Sequence, residues 1–92
     1  MALLSDNEIT ERLADAEGWE REGDRIVRSF DRGDFVGSIE FARALVEPAE
    51  AMGHHPDLAI SWATVEVSIT NHAEGGLTEA DFELAGRIDA LA

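Results

Sequence analysis

Apolar positions recur along the chain in two rhythms, one of about 3.6 residues and one of two, and each change of rhythm marks an element boundary. Ile9, Leu13 and Ala16 share one helical face behind Ser5-Asp6-Asn7-Glu8. That tetrad is a capping box, in which Ser5 accepts from the Glu8 amide and the Glu8 carboxylate reaches back. Gly18 predicts the end of this helix near Glu17. Trp19–Glu22 and Arg25–Phe30 then flank Gly23-Asp24, which predicts a tight hairpin whose buried face carries Trp19, Ile26 and Phe30. From Asp34, a candidate cap, Phe35, Ile39, Ala42, Leu45, Val46, Ala49 and Met52 return to helical spacing. Pro48 lies inside that pattern and, lacking a backbone N–H, predicts a kink or a division. Gly53 suits a left-handed helix cap.

Beyond His54-His55-Pro56 the rhythm shortens to two. Leu58, Ile60 and Trp62 alternate with small or polar residues, and Val65, Val67 and Ile69 alternate with Glu66, Ser68 and Thr70. The parity changes between the runs, so a turn or bulge is expected at Ala63-Thr64. Gly75-Gly76 predicts another turn. Thr78-x-x-Asp81 opens a last helix with Phe82, Leu84, Ala85, Ile88 and Leu91 on its apolar side. The order helix, strand, strand, helix, strand, strand, helix predicts an α+β fold, with three helices on one face of a four-stranded, mainly antiparallel sheet. No repeat, linker or low-complexity segment interrupts it, and residues 1–92 read as a single domain.

Charge narrows the partners. The chain has 20 acidic and 7 basic residues, a formal net charge of −13, and every basic residue is arginine. Such a field repels nucleic acid and anionic membranes, so neither is an expected partner. The acids are dispersed rather than gathered in a tail, as on the solvated surface of a protein adapted to high salt. Without cysteine there are no disulfides, thiolate nucleophiles or Cys-ligated metals. No apolar run approaches the ~18 residues of a membrane span, and Met1–Glu8 has no signal-peptide pattern, so a soluble cytoplasmic protein is expected.

All three histidines lie between Glu50 and Asp81. Imidazole is the side chain suited to proton transfer near neutral pH. His54 and His55 follow a helix end, and Pro56 holds His55 in extended backbone, so the two point to opposite sides. His72 ends the last strand and can return beside them if the two final strands pair. Glu50 precedes His54 by one helical turn and can orient it if the helix persists, while Asp81 sits in the first turn of the last helix. The plain alternatives are loop histidines, a strand-end filler, a surface glutamate and a capping aspartate. Zinc is a further reading, but neither His-x3-His nor His-Glu-x-x-His spacing occurs and no metal is expected. Gly75-Gly76 lacks the lysine or the glycine spacing of a phosphate loop.

Glu50-x3-His54-His55-Pro56-Asp57, followed by His72-x2-Gly75-Gly76-Leu77-Thr78-x2-Asp81 and Leu84-Ala85, resembles the pterin-4a-carbinolamine dehydratase family. The likeness extends to Gly18-Trp19 and the Phe35 helix. It implies the same fold, dehydration of 4a-hydroxytetrahydropterin to quinonoid dihydropterin without metal or cofactor, and dimers or tetramers. By this resemblance His54, His55 and His72 are the active-site histidines, and Pro56, Asn71, Ala73 and Glu74 fall where the family contacts the pterin. Glu50 and Asp81 would support them from behind. Gly53 stands where members often have Asp or Asn, and Trp62-Ala63 replaces a common Tyr-Asn pair. These departures bear on the substrate's side-chain pocket more than on the acid–base step.

Three functions therefore stand: the dehydratase, recycling a pterin cofactor after an aromatic amino acid hydroxylase; a non-catalytic dimeric interaction module, as animal members also serve a homeodomain transcription factor; and an enzyme acting on another pterin, such as a molybdenum-cofactor intermediate. The apolar stripe at 35, 36, 39, 41, 42, 45, 46 and 49 is wider than one sheet contact requires, and a homodimer or homotetramer is expected.

Overall fold

Ile26 and Phe30 on one strand and Val65, Val67 and Ile69 on its neighbour form the floor of the core, in a computed structural model that describes residues 2–92. Strands β1 (Glu20–Glu22), β2 (Arg25–Asp31), β3 (Asp57–Ile60) and β4 (Thr64–Ile69) make a four-stranded sheet in the order β1-β2-β4-β3. Every pairing is antiparallel. The central register sets Ile26 against Ile69 and Phe30 against Val65, so one face is continuously apolar. The other face carries Ser29 opposite Glu66 and Asp57 opposite Ser68.

Helix α1 (Asp6–Ala14), the pair α2 (Phe35–Ala44) and α3 (Val46–Met52), and α4 (Glu79–Asp89) bring Ile9, Phe41, Leu45, Leu84 and Ile88 onto the apolar face. The architecture is thus α+β with three helical arms, the second divided, on a four-stranded antiparallel sheet. Pro48 explains the division. As the third residue of α3 it needs no N–H of its own, and it has none to return to the Ala44 carbonyl.

Local signals act as the sequence suggests. Ser5 and Glu8 form the reciprocal capping box of α1, and Asp34 accepts from the Gly37 amide at 2.7 Å to cap α2. Glu22 pairs with Arg25 across the two-residue Gly23-Asp24 turn, where Gly23 has φ 61°. Three details differ. Helix α1 stops at Ala14, not near Glu17, because the amides of Asp15 and Ala16 fold back on the Arg12 and Leu13 carbonyls at 3.1 Å. The tighter turn delivers Trp19 to the core, with its indole N–H donating to the Asp89 carboxylate at 3.0 Å. The turn between β3 and β4 spans Ser61, Trp62 and Ala63, so Thr64 belongs to the strand and Trp62 is 73% exposed. Leu58 and Ile60 lie on the edge strand β3, which α2 covers only in part, and they stay substantially exposed.

Candidate active site

The site grows out of a helix end. Gly53 adopts φ 60° and ψ 32° after α3, its amide donates to the Glu50 carbonyl and the His54 amide to the Ala49 carbonyl. This pair of bonds closes the helix and reverses the chain at a residue for which a left-handed backbone costs little. The next two side chains then part. The His54 side chain is only 14% exposed and that of His55 is 63% exposed.

His54 Nε2 lies 2.7 Å from Asp81 Oδ1. Asp81 is fully buried, and its Oδ2 accepts the Thr78 amide at 2.6 Å and the Thr78 hydroxyl at 3.2 Å. One carboxylate therefore caps α4 and holds His54. The N-terminal end of a helix, where unpaired amides point outward, favours a negative group there. A carboxylate only accepts, so Nε2–H of His54 donates to it and Nδ1 is the nitrogen left for a proton in transit.

His55 Nε2 meets the Glu50 carboxylate, both side chains being largely in water. This corrects the expectation that Glu50 orients His54: α3 ends at Met52, and the turn at Gly53 brings His55, not His54, within its reach. His55, Glu50 and Pro56 rim a cleft of about 200 Å³ whose wall is Ala42, Val46, Ala49 and Leu58.

His72 occupies the turn after β4. The Asn71 carbonyl accepts the amides of Glu74, Gly75 and Gly76 at 3.2, 2.9 and 3.2 Å, and Gly75 takes φ 76°. Asn71 Oδ1 also accepts the Glu74 amide, while its Nδ2 donates to Thr78 Oγ1 at 3.4 Å. Asn71, Thr78, Asp81 and His54 are thus one hydrogen-bonded series, joining the turn of His72 to the imidazole behind it. His72, Ala73 and Glu74 are exposed on the turn.

His55 and His72 line separate clefts. The second, about 260 Å³, is formed by Thr70, Asn71 and His72, by the two glycines of the turn, and by Asp24 and Arg25 of the β1–β2 hairpin. Hairpin residues were not expected here. Only the register, Ile26 opposite Ile69, swings that turn against the end of β4, and a sequence does not print its strand pairing. Among the described residues no group of three His, Asp or Glu side chains is arranged to hold a metal ion.

Three helical arms on an antiparallel sheet, with histidines at junctions between helices and strands, define a class of small α+β protein. The chain belongs to the pterin-4-alpha-carbinolamine dehydratase family, whose sequence profile, described as Pterin 4 alpha carbinolamine dehydratase, matches residues 2–91. A relative from Thermosynechococcus vestitus, provisionally named a pterin-4-alpha-carbinolamine dehydratase, is 49% identical over 89 residues, covering 97% of this chain and 94% of the relative. Among solved structures, the transcriptional coactivator/pterin dehydratase of Brucella melitensis superposes with a TM-score of 0.92 at 32% identity over 98% of each chain. A pterin dehydratase-like protein described as a RuBisCO assembly factor of the alpha-carboxysome superposes with a TM-score of 0.70 at 26% identity, over 83% of this chain and 90% of that one. No helix among the described residues is long and apolar enough to cross a membrane.

Proposed function

We propose that this protein dehydrates a 4a-hydroxytetrahydropterin to the quinonoid dihydropterin by histidine acid–base catalysis. The observation that carries the reading is His54, held by the buried Asp81 carboxylate at the base of the stretch that also bears His55 and His72. The C4a–O bond breaks with its electron pair on oxygen as an imidazolium delivers a proton, so water departs rather than hydroxide. The N5 lone pair closes the C4a–N5 double bond, and a neutral imidazole takes the ring proton that leaves. One proton enters and one departs. Each well-placed group contributes roughly 10²–10⁴-fold. His54 and His72 carry the transfers in this scheme. His55, half tethered to Glu50 and open to water, acts in binding or as an alternate acid. Pro56, Asn71, Ala73 and Glu74 supply contacts to the pterin.

The acting form is a homo-oligomer in this reading, a dimer or a dimer of dimers. Phe35, Val36, Ile39 and Val46 are exposed on the outer side of α2 and the start of α3, and Leu58 and Ile60 on the open edge of the sheet. Apolar groups on a free edge call for cover. A second reading, a non-catalytic interaction module, is favoured by the likeness to the alpha-carboxysome assembly factor.

Stopped-flow measurement of 4a-carbinolamine breakdown with the purified protein in high salt separates the two. Catalysed dehydration is expected. A rate equal to the uncatalysed one, with an intact fold, leaves the interaction reading in its place.

A further inference from the structure

The cleft around His72 contains two charged residues that nothing in the acid–base scheme uses. Asp24 and Arg25 reach it from the β1–β2 hairpin, more than forty positions away in sequence. The hairpin is fastened there by the Thr70 hydroxyl, which donates to the Asp24 carbonyl. Arg25 is held by one nitrogen, Nη1, which donates to Asp57 Oδ2 at 2.9 Å and to the Ser68 hydroxyl. Its remaining N–H donors have no partner among the described residues, nor does the Asp24 carboxylate. Apart from His72, the other polar side chains of the cleft are engaged: Thr70 with Asp24, and Asn71 with Thr78 and Glu74.

A cleft of about 260 Å³ falls below the ~300–1,000 Å³ that encloses a whole small ligand. It therefore takes one edge of a ring. An acceptor-only carboxylate next to a donor-only guanidinium selects an edge with paired N–H donors beside a carbonyl. The aminopyrimidinone edge of a pterin has that order: the 2-amino group and N3–H, then the 4-oxo oxygen. We infer that Asp24 binds the 2-amino and N3–H donors of the substrate and Arg25 its 4-oxo group, making the hairpin turn the specificity wall of the His72 site. The inference rests on the pterin reading above and adds residues that lie outside the family motif quoted from the sequence.

Asp24→Asn is the variant of choice, because asparagine is tolerated in turns and leaves the carbonyl that Thr70 uses. Calorimetric titration with 7,8-dihydropterin and with 7,8-dihydrolumazine, its 2-oxo analogue, is paired with the dehydration assay. The wild type is expected to prefer the dihydropterin. Asp24→Asn is expected to weaken dihydropterin binding by about 10- to 100-fold, the loss of a charge-assisted hydrogen bond. It should raise KM by a similar factor, leave kcat nearly unchanged and abolish the preference over the lumazine. Unchanged affinity and preference in the variant, with the wild type binding and dehydrating normally, overturns the inference and leaves the dehydratase reading standing. A fall in kcat with unaltered binding also overturns it, since Asp24 would then act through His72. A wild type that neither binds nor dehydrates pterins overturns both.

Discussion

Neighbouring histidines here meet different surroundings, and the proposed scheme gives them different work for that reason. His54 is tied to a carboxylate that water does not reach, so its ring is fixed in direction and tautomer. His55 pairs with Glu50 in the open, where an ion pair contributes about 0–1 kcal/mol and holds geometry loosely. His54→Ala and His72→Ala are each expected to slow dehydration by roughly 10²-fold or more, whereas His55→Ala should act mainly on KM. Normal rates in both of the first two variants, with unchanged circular dichroism, would remove the proposed roles. Asp81→Ala should cost stability as well as rate, by about 1–3 kcal/mol, because it uncaps α4 and strips a partner from both Thr78 and His54. Urea unfolding reads the first effect and the dehydration assay the second. At this scale the histidine stretch was legible because three titratable rings in one segment stand out in any chain. The pairing of Glu50 was not, since one left-handed residue at Gly53 redirects everything after it. The role of Thr78 as the link from Asn71 to Asp81 was hidden for another reason: a cap signal accounts for a threonine there without any site.

Between elements, the boundaries matter more than the elements themselves. Gly53 stands where family members often carry Asp or Asn, and its φ of 60° supplies a backbone reason. Asn and Asp are the side chains that best tolerate that region, so all three residues serve the same turn. A Cβ at Gly53 meets nothing within 4 Å. The cost of Gly53→Ala is therefore conformational, about 1–2 kcal/mol, and Gly53→Asn should recover much of it. Chemical denaturation with unchanged m-values is the check; equal stability of all three proteins would argue against a strained turn. Capping was the most legible feature, and α1 offers a pH test of it. The Glu8 carboxyl is held below its ordinary value by the Ser5 amide first and the Ser5 hydroxyl second. A carboxyl with a depressed folded-state pKa stabilises above its unfolded pKa, and the effect is lost as pH falls through the folded one. Glu8→Gln should accordingly lower the melting temperature at neutral pH, and the gap to wild type should narrow below about pH 4, near the ordinary glutamate pKa. A gap that stays constant down to pH 2–3 would detach the cap from Glu8. The end of α1 was misplaced because three residues that fit the helical pattern are instead used to steer Trp19 onto Phe30.

For the whole molecule, two surface properties pull in opposite directions. Exposed Phe35, Val36, Ile39, Val46, Leu58 and Ile60 favour association, while a formal charge of −13 on each copy opposes it. The apolar term depends little on simple screening, but the repulsion depends on it directly. The Debye length grows from about 3 Å at 1 M salt to about 30 Å at 0.01 M, which exceeds the width of a small domain's interface contacts. Association and stability should therefore fall together as salt is removed. The wide stripe was legible in the sequence, yet which part of it faces out was not: Phe41 and Leu45 turn to the sheet, and only the fold decides the phase. Light scattering at micromolar concentration is expected to give at least twice the 10.0 kDa of one chain in molar salt, and a smaller mass on dilution to ~10 mM. Val46→Glu with Leu58→Glu places two more charges on the apolar rim, and should leave a folded monomer at any salt concentration. If wild-type protein is monomeric in molar salt, the interface argument fails and the exposed apolar groups need another partner. If it is oligomeric and its melting temperature ignores salt, the apolar argument survives and the dispersed acids do not destabilise the fold as their charge requires.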